Sequence, residues 1–293
     1  MALQSVGQAD LRKENVSRVV TGFALAEYRF KQVVMISSSN SWKETYFQET
    51  AADLTASGQG NAVQGVPRLA NFPYGEVTWT EKNNRLLKHG MDAVISMEDA
   101  MTNEIDVIAR TLLRVARAVA KSVDTEIWDT LTENQSASAI NSLSITAGNE
   151  WNSATVANRD PIQNILDAKV KVQENNYDID GGKGFIALNP KDFGNLLGNA
   201  NIRNAGQFYT DAVTRNGKVG KLLGLDVIVS VNVTADFALV GVMKECANWK
   251  AAVNLTTVSI ENPGINWKIR SWEIGVTQLT NPLSLCLIDN TAA

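Results

Sequence analysis

From residue 105 onward, apolar side chains recur at every third or fourth position: Ile105, Ile108, Leu112, Val115, Val119, Val123, Ile127 and Leu131. That spacing places them on one stripe of an α-helix. No Gly or Pro interrupts residues 91–147, and Asn103 with Asp106 supplies capping side chains at the start. Roughly thirty residues at 1.5 Å each predict a rod of about 45 Å. Most helices in globular proteins stop after three or four turns. One this long acts as a strut. Ahead of it, Ser96-Met97-Glu98-Asp99 predicts a short helical turn.

Before the helix the pattern is different. Residues 1–41 are mixed and weakly periodic, which predicts an extended arm with a short helical stretch over 14–27. Trp42, Tyr46 and Phe47 favour a strand over 42–50. A turn-rich stretch follows, and residues 76–81 then alternate polar and apolar with Val77 and Trp79 on one side. Together these make a long two-stranded arm with little of its own to pack against. Such a hairpin is marginally stable in water, so it needs a neighbour, which another copy of the chain can supply.

After the helix, residues 132–158 read as a polar loop. Asp160-Pro161 and Asn189-Pro190 each place a capping residue before a first-turn proline, predicting two helices, the first running to about residue 173. Apolar runs at 185–188, 225–231 and 237–242 predict buried strands, so this block reads as a compact α/β unit. From residue 252 the chain is β-rich, and Leu283, Leu285 and Leu287 share one face of a last strand.

With 293 residues, 44% hydrophobic and 20% charged, the chain has a globular composition and the length of one large domain or two smaller ones. Its 27 basic and 31 acidic residues leave a formal net charge of −4. That balance argues against tight binding of nucleic acid or an anionic membrane by the chain as a whole, while leaving room for a local basic face. No apolar run reaches the length of about 18 residues that a membrane span needs. Residues 1–15 are polar and carry no signal-like stretch, so the expectation is a protein made in a reducing cytoplasm. Cys246 and Cys286 lack metal-ligand spacing and are expected as small buried hydrophobes.

Catalytic chemistry is not evident. The single histidine, His89, lies in Leu87-Lys88-His89-Gly90, read as a loop, with no nucleophile or acid at motif spacing. Asn176, Asp178 and Asp180 followed by Gly181 imitate the opening of a calcium loop, but position twelve falls on Ala187 where a bidentate carboxylate is required. No catalytic residue, metal ligand or cofactor site is assigned, and the chain is expected not to be an enzyme. Arg110, Arg114, Arg117 and Lys121 form a basic stripe on the long helix. It is either a solvated face or a surface that meets nucleic acid or an acidic neighbour. Glu104, Asp106, Asp124 and Glu126 flank it and are expected to absorb part of its charge.

The order of elements resembles the major capsid proteins of tailed phages, which share the Hong Kong 97 phage capsid fold, an α+β class. The resemblance spans essentially the whole chain. It is carried by Ile95-Ser96-Met97-Glu98-Asp99 leading into the long helix, by Phe185-Ile186-Ala187-Leu188-Asn189-Pro190-Lys191-Asp192-Phe193, and by Gly220-Lys221-Leu222-Leu223-Gly224-Leu225-Asp226-Val227. It implies an N-terminal arm at 1–41, an E-loop hairpin at 42–90 and a P-domain with its spine helix at 91–132. An inserted α/β A-domain at 133–245 and P-domain return strands at 246–293 complete the division.

It further implies self-assembly into hexamers and pentamers of an icosahedral shell around double-stranded DNA, touched by weak non-specific contacts. The spine stripe from Ile105 to Ile127 would then be the assembly core, with Trp42, Tyr46, Phe47 and Trp79 of the E-loop lying on an adjacent subunit. Separate scaffolding, portal and decoration proteins would be partners, and the product would be a virion component assembled in the host cytoplasm. The alternative is an encapsulin-like nanocompartment of the same fold, enclosing cargo enzymes instead of a genome.

Overall fold

The long helix is the element around which the others are arranged. The computed structural model describes residues 13–50, 67–71, 80–102, 107–199 and 221–292. The chain begins with helix α1 (Lys13–Glu27) and strands β1 (Met35–Ser38), β2 (Lys43–Gln48), β3 (Thr80–Arg85) and β4 (Leu87–Ser96). A short helix α2 (Met97–Thr102) and the long helix α3 (Val107–Leu131) follow. Next come β5 (Asn141–Ser144), α4 (Pro161–Glu174), β6 (Gly184–Leu188), α5 (Pro190–Gly198), β7 (Lys221–Leu222), β8 (Leu225–Val229) and β9 (Phe237–Val242). The last strands are β10 (Ala247–Asn262), β11 (Asn266–Leu279) and β12 (Leu285–Asp289).

The helix starts are fixed by the signals visible in the sequence. Ser96 Oγ accepts from the Asp99 amide at 3.0 Å, Asp160 from Gln163 at 3.2 Å and Asn189 from Lys191 at 3.0 Å. Helix α3 runs for 25 residues, about 37 Å. Ile108, Leu112, Val115, Val119, Val123, Ile127 and Leu131 are all buried, whereas Ile105 and the capping residues Asn103 and Asp106 lie outside the described residues.

The helical stretch expected over 14–27 is helix α1, and it packs against the long helix instead of extending away as an arm. Val16, Val20 and Ala24, four apart on one face of α1, are fully buried in the same core as Ile108, Leu112, Ala116 and Ala120 of α3. The stripe is made of small residues, so its periodicity is weak in the sequence, yet small side chains let two helices approach closely. Just beyond it, Phe30 packs on Trp128 with ring centroids 5.5 Å apart.

Three sheets complete the frame. A four-stranded sheet has the order β1-β10-β11-β4, with β1 parallel to β10 and the other neighbours antiparallel. Residues 87–90, read from the sequence as a loop, thus belong to a paired strand, β4. A six-stranded sheet has the order β5-β12-β9-β6-β8-β7, and β2 and β3 form a separate ribbon. Three of the six strands depart from the sequence reading, the short β7 being one that no apolar run announces. Strand β5 comes from the stretch expected as a polar loop, and β12, expected among the return strands, pairs with β9 and β5 instead.

Strand alternation makes the six-stranded sheet serve two cores. Ile186, Leu188, Val240, Cys286 and Ile288 pack with Ile165, Ala168 and Val172 of α4. Phe185, Ala187, Leu239, Leu285 and Leu287 join the core built on α3.

Gly275 of β11 marks the tightest point of the other sheet. A Cβ there would lie 2.4 Å from Cζ2 of the fully buried Trp249 and 2.9 Å from the Lys250 carbonyl oxygen. Gly275→Ala is therefore expected to cost about 1–3 kcal/mol through overpacking, read as a fall of several degrees in Tm. An unchanged Tm would mean that the indole has room to shift.

Candidate assembly surfaces

The histidine, the two cysteines and the carboxylates of the calcium-like loop can each be placed. His89 lies in β4, not in a loop. It is 8% exposed, with Nδ1 2.9 Å from Ser122 Oγ, and burial holds its pKa below the ordinary value. Burial pushes the thiols of Cys246 and Cys286 up to about 12, which leaves little reactive thiolate. In the calcium-like loop, Asp178 Oδ1 accepts from the amides of Asp180 at 3.2 Å and Gly181 at 3.0 Å. Asp180 is held by Lys169 and Gln173. Among the described residues no group of three or more His, Cys, Asp or Glu side chains is placed to hold a metal ion. No described helix is long and apolar enough to cross a membrane.

Two surfaces stand out instead. The first is the β2–β3 ribbon, paired Lys43↔Arg85 through Gln48↔Thr80. Its base is tied to β11, where Gln48 Nε2 donates to the Leu279 carbonyl at 3.2 Å and Asn84 Nδ2 to the Thr277 carbonyl at 3.0 Å. Trp42 is 65% and Phe47 58% exposed, Tyr46 is half-buried, and Trp79 lies outside the described residues. Two large aromatics are thus exposed on a ribbon that, among the described residues, contributes no side chain to either apolar core.

The second surface is the basic stripe of α3. Arg110, Arg114, Arg117 and Lys121 are exposed on the side opposite the buried apolar stripe. Arg117 Nε lies 2.8 Å from Glu27 Oε1. Two of the four acidic residues expected to absorb part of the stripe's charge, Asp124 and Glu126, turn elsewhere. Asp124 is buried and accepts from the amides of Arg29 at 2.7 Å and Phe30 at 3.2 Å. Glu126 accepts from the Thr277 amide at 3.0 Å, and Glu104 and Asp106 lie outside the described residues. The backbone of the segment after α1 outcompetes the stripe for Asp124, which sequence spacing alone does not reveal.

Asp124 has a pH signature. Burial pushes its carboxyl up to about 6, with amide hydrogen bonds opposing. An unfolded aspartate titrates near 3.9, so the folded chain binds the extra proton between these values. The stability this group contributes is full below about pH 4 and is lost as pH rises through about 6. Asp124→Asn lacks that titration. Stability of the parent minus that of the variant should therefore grow by on the order of 1–3 kcal/mol as pH falls from about 7 to 4, measured by urea unfolding at each pH. A difference flat with pH would contradict it.

A third cluster locks the segment after α1 to the sheet. Glu273 of β11 is fully buried and accepts from the Tyr28 hydroxyl at 2.6 Å and from Lys31 Nζ. Lys31 Nζ also lies 4.2 Å from the Tyr28 ring centroid. Burial and the Glu273 carboxylate hold the Tyr28 phenol well above its ordinary pKa, so it stays a donor.

A strut helix, a hairpin sheet packed along it, an inserted α/β block and a ribbon without a core together define a shell-forming structural subunit of the Hong Kong 97 type. The comparisons agree. The family model for phage capsid protein matches residues 79–285. The chain belongs to the phage capsid protein family and is a structural protein of a capsid shell.

The fold is similar to the capsid of cyanophage P-SCSP1u, at 12% identity with a TM-score of 0.65 over 89% of this chain and 87% of that one. It is similar to a phage-related protein from Bordetella bronchiseptica RB50, at 12% identity and TM-score 0.63 over 94% and 96%. It is also similar to the virus-like particle from Pyrococcus furiosus, at 10% identity and TM-score 0.62 over 94% and 98%. At these identities the likeness speaks for the fold. No curated protein matches the sequence.

Proposed function

We propose that this chain is the major capsid protein of a tailed phage, assembling as hexamers and pentamers into an icosahedral shell that encloses double-stranded DNA. The observation that carries this reading is the β2–β3 ribbon, whose exposed Trp42 and Phe47 have no core of their own. Covering them with a second copy builds the large shared interfaces that obligate assemblies use.

In this reading residues 42–90 are the E-loop, 91–132 the P-domain with its spine and 133–245 the A-domain, to which β12 adds a strand. Residues 1–41 act as an arm whose α1 portion is docked on the spine. The role is structural and non-enzymatic. Scaffolding, portal and decoration functions fall to separate proteins, and assembly takes place in the host cytoplasm.

The likeness to a virus-like particle favours one second reading, a nanocompartment that encloses protein cargo. Nuclease-treated particles from the native source separate the two. Protected double-stranded DNA of uniform length supports the phage reading. Particles free of nucleic acid that carry a stoichiometric enzyme overturn it in favour of the compartment.

A further inference from the structure

The basic stripe does not end on the helix. At its Lys121 end a crevice of about 330 Å³ opens between three parts of the fold. The segment after α1 contributes Glu27 and Arg29, α3 contributes Arg117 and Lys121, and the loop after β8 contributes Ser230 and Asn232. Arg29 is exposed and is distant in sequence from the stripe it joins. Among the described residues Glu27 is the single carboxylate lining the crevice, and it holds Arg117. Asp124 lies beneath Arg29 but is taken up by backbone amides. Among the described residues, Arg29, Arg110, Arg114 and Lys121 make no ion pair.

The polar groups of the loop suit an anion as well. Ser230 Oγ accepts from the Asn232 amide at 3.2 Å, which leaves its own proton free to donate. The Asn232 side-chain oxygen is buried without a partner.

We propose that this crevice is a phosphate-binding site, and that with Arg110 and Arg114 it forms a cationic track for the backbone of double-stranded DNA. The proposal rests on the reading that the shell encloses such a genome. The length of the track selects a polyanion over a single acidic side chain. At 100° and 1.5 Å per residue, positions 110 to 121 stay within about 60° of one another and span about 16 Å. One carboxylate of a neighbouring subunit would engage one or two of these cations. A duplex carries about one charge per 1.7 Å of axis, so the same length offers about nine phosphates to the whole row. Five cations less Glu27 leave about four to be matched, a strength suited to weak, sequence-independent contact.

The test is fluorescence anisotropy of a labelled mixed-sequence duplex of about 20 base pairs with the unassembled full-length chain, from 50 to 200 mM salt. About four neutralised phosphates predict a slope of log K against log salt near −3.6. Arg29→Gln should bring the slope toward zero by about 0.9. The triple change Arg29→Gln, Arg117→Gln, Lys121→Gln should lower affinity at least tenfold, whereas Lys43→Gln with Lys82→Gln on the ribbon should leave it unchanged. Circular dichroism and Tm of each variant confirm that the fold is retained, and the single Arg29→Gln change carries the test where the triple variant does not fold.

A slope indifferent to Arg29 overturns the proposal. So does a poly-glutamate peptide binding through Arg29 more tightly than the duplex, which would give the crevice to an acidic protein segment. Electron microscopy of the same preparations keeps the two readings apart. Shells with no Arg29-dependent binding count against the crevice alone, whereas Arg29-dependent binding without any shell supports the crevice and counts against the capsid reading.

Discussion

Replacing Leu112 and Val119 together by aspartate is expected to yield no folded protein and no assembly. Both lie in the middle of the α3 stripe: Leu112, 4% exposed, belongs to the apolar core that includes the small face of α1, and Val119 is 1% exposed. Each substitution removes roughly 1.5–3 kcal/mol of apolar burial and adds a carboxylate with no partner, at several kcal/mol more. A whole domain is stable by only about 5–15 kcal/mol, so the pair exceeds what the fold can absorb. The matched control is Arg114→Glu on the opposite face of the same helix, which should leave folding intact. Soluble expression, circular dichroism and thermal unfolding read the contrast. A cooperatively folded double variant would show that this stripe is not the core of the molecule.

Glu273→Ala is expected to have the second largest effect. It would leave the Lys31 ammonium, 16% exposed at its side chain, and the Tyr28 hydroxyl facing a buried site with no acceptor. Breaking a buried ion pair from one side costs about 3–5 kcal/mol, since the surviving charge is stranded. In a chain of this size that amounts to roughly 10 °C in Tm. Removing every partner at once should cost much less. The triple change Tyr28→Phe, Lys31→Met, Glu273→Leu is therefore expected to recover most of the loss. A Glu273→Ala protein as stable as the parent would mean that the cluster does not hold the segment after α1 on the sheet.

The elements that could be read from the sequence are those whose cause is local. Helix α3 announces itself by an uninterrupted stripe, α4 and α5 by capping residues placed before proline, and β9 by a short apolar run bounded by polar residues. What escaped the sequence depends on partners far away along the chain. Residues 87–96 carry exposed charges and Gly90, and become a strand only because β11 lies alongside. Strand β12 has no local mark that assigns it to the central sheet, and β5 is a polar edge that exists through its pairing with β12.

The surfaces divide in the same way. The basic stripe was visible because its members share one helix, whereas Arg29 reaches the crevice only once α1 has docked. The departure of Asp124 and Glu126 from the stripe was hidden for the same reason, because their acceptor roles serve backbone amides of distant segments. Lys31 and Glu273, 242 positions apart, could not have been paired from sequence spacing.

The central claim is that this chain builds a closed shell. Negative-stain electron microscopy of the purified chain, alone and then with a scaffolding protein from the same genome, tests it most directly. Closed icosahedral particles, or rings of five and six subunits, are expected, and are lost when Trp42 and Phe47 are both changed to serine. A uniform monomer or dimer at high concentration, with and without the scaffold, would contradict it.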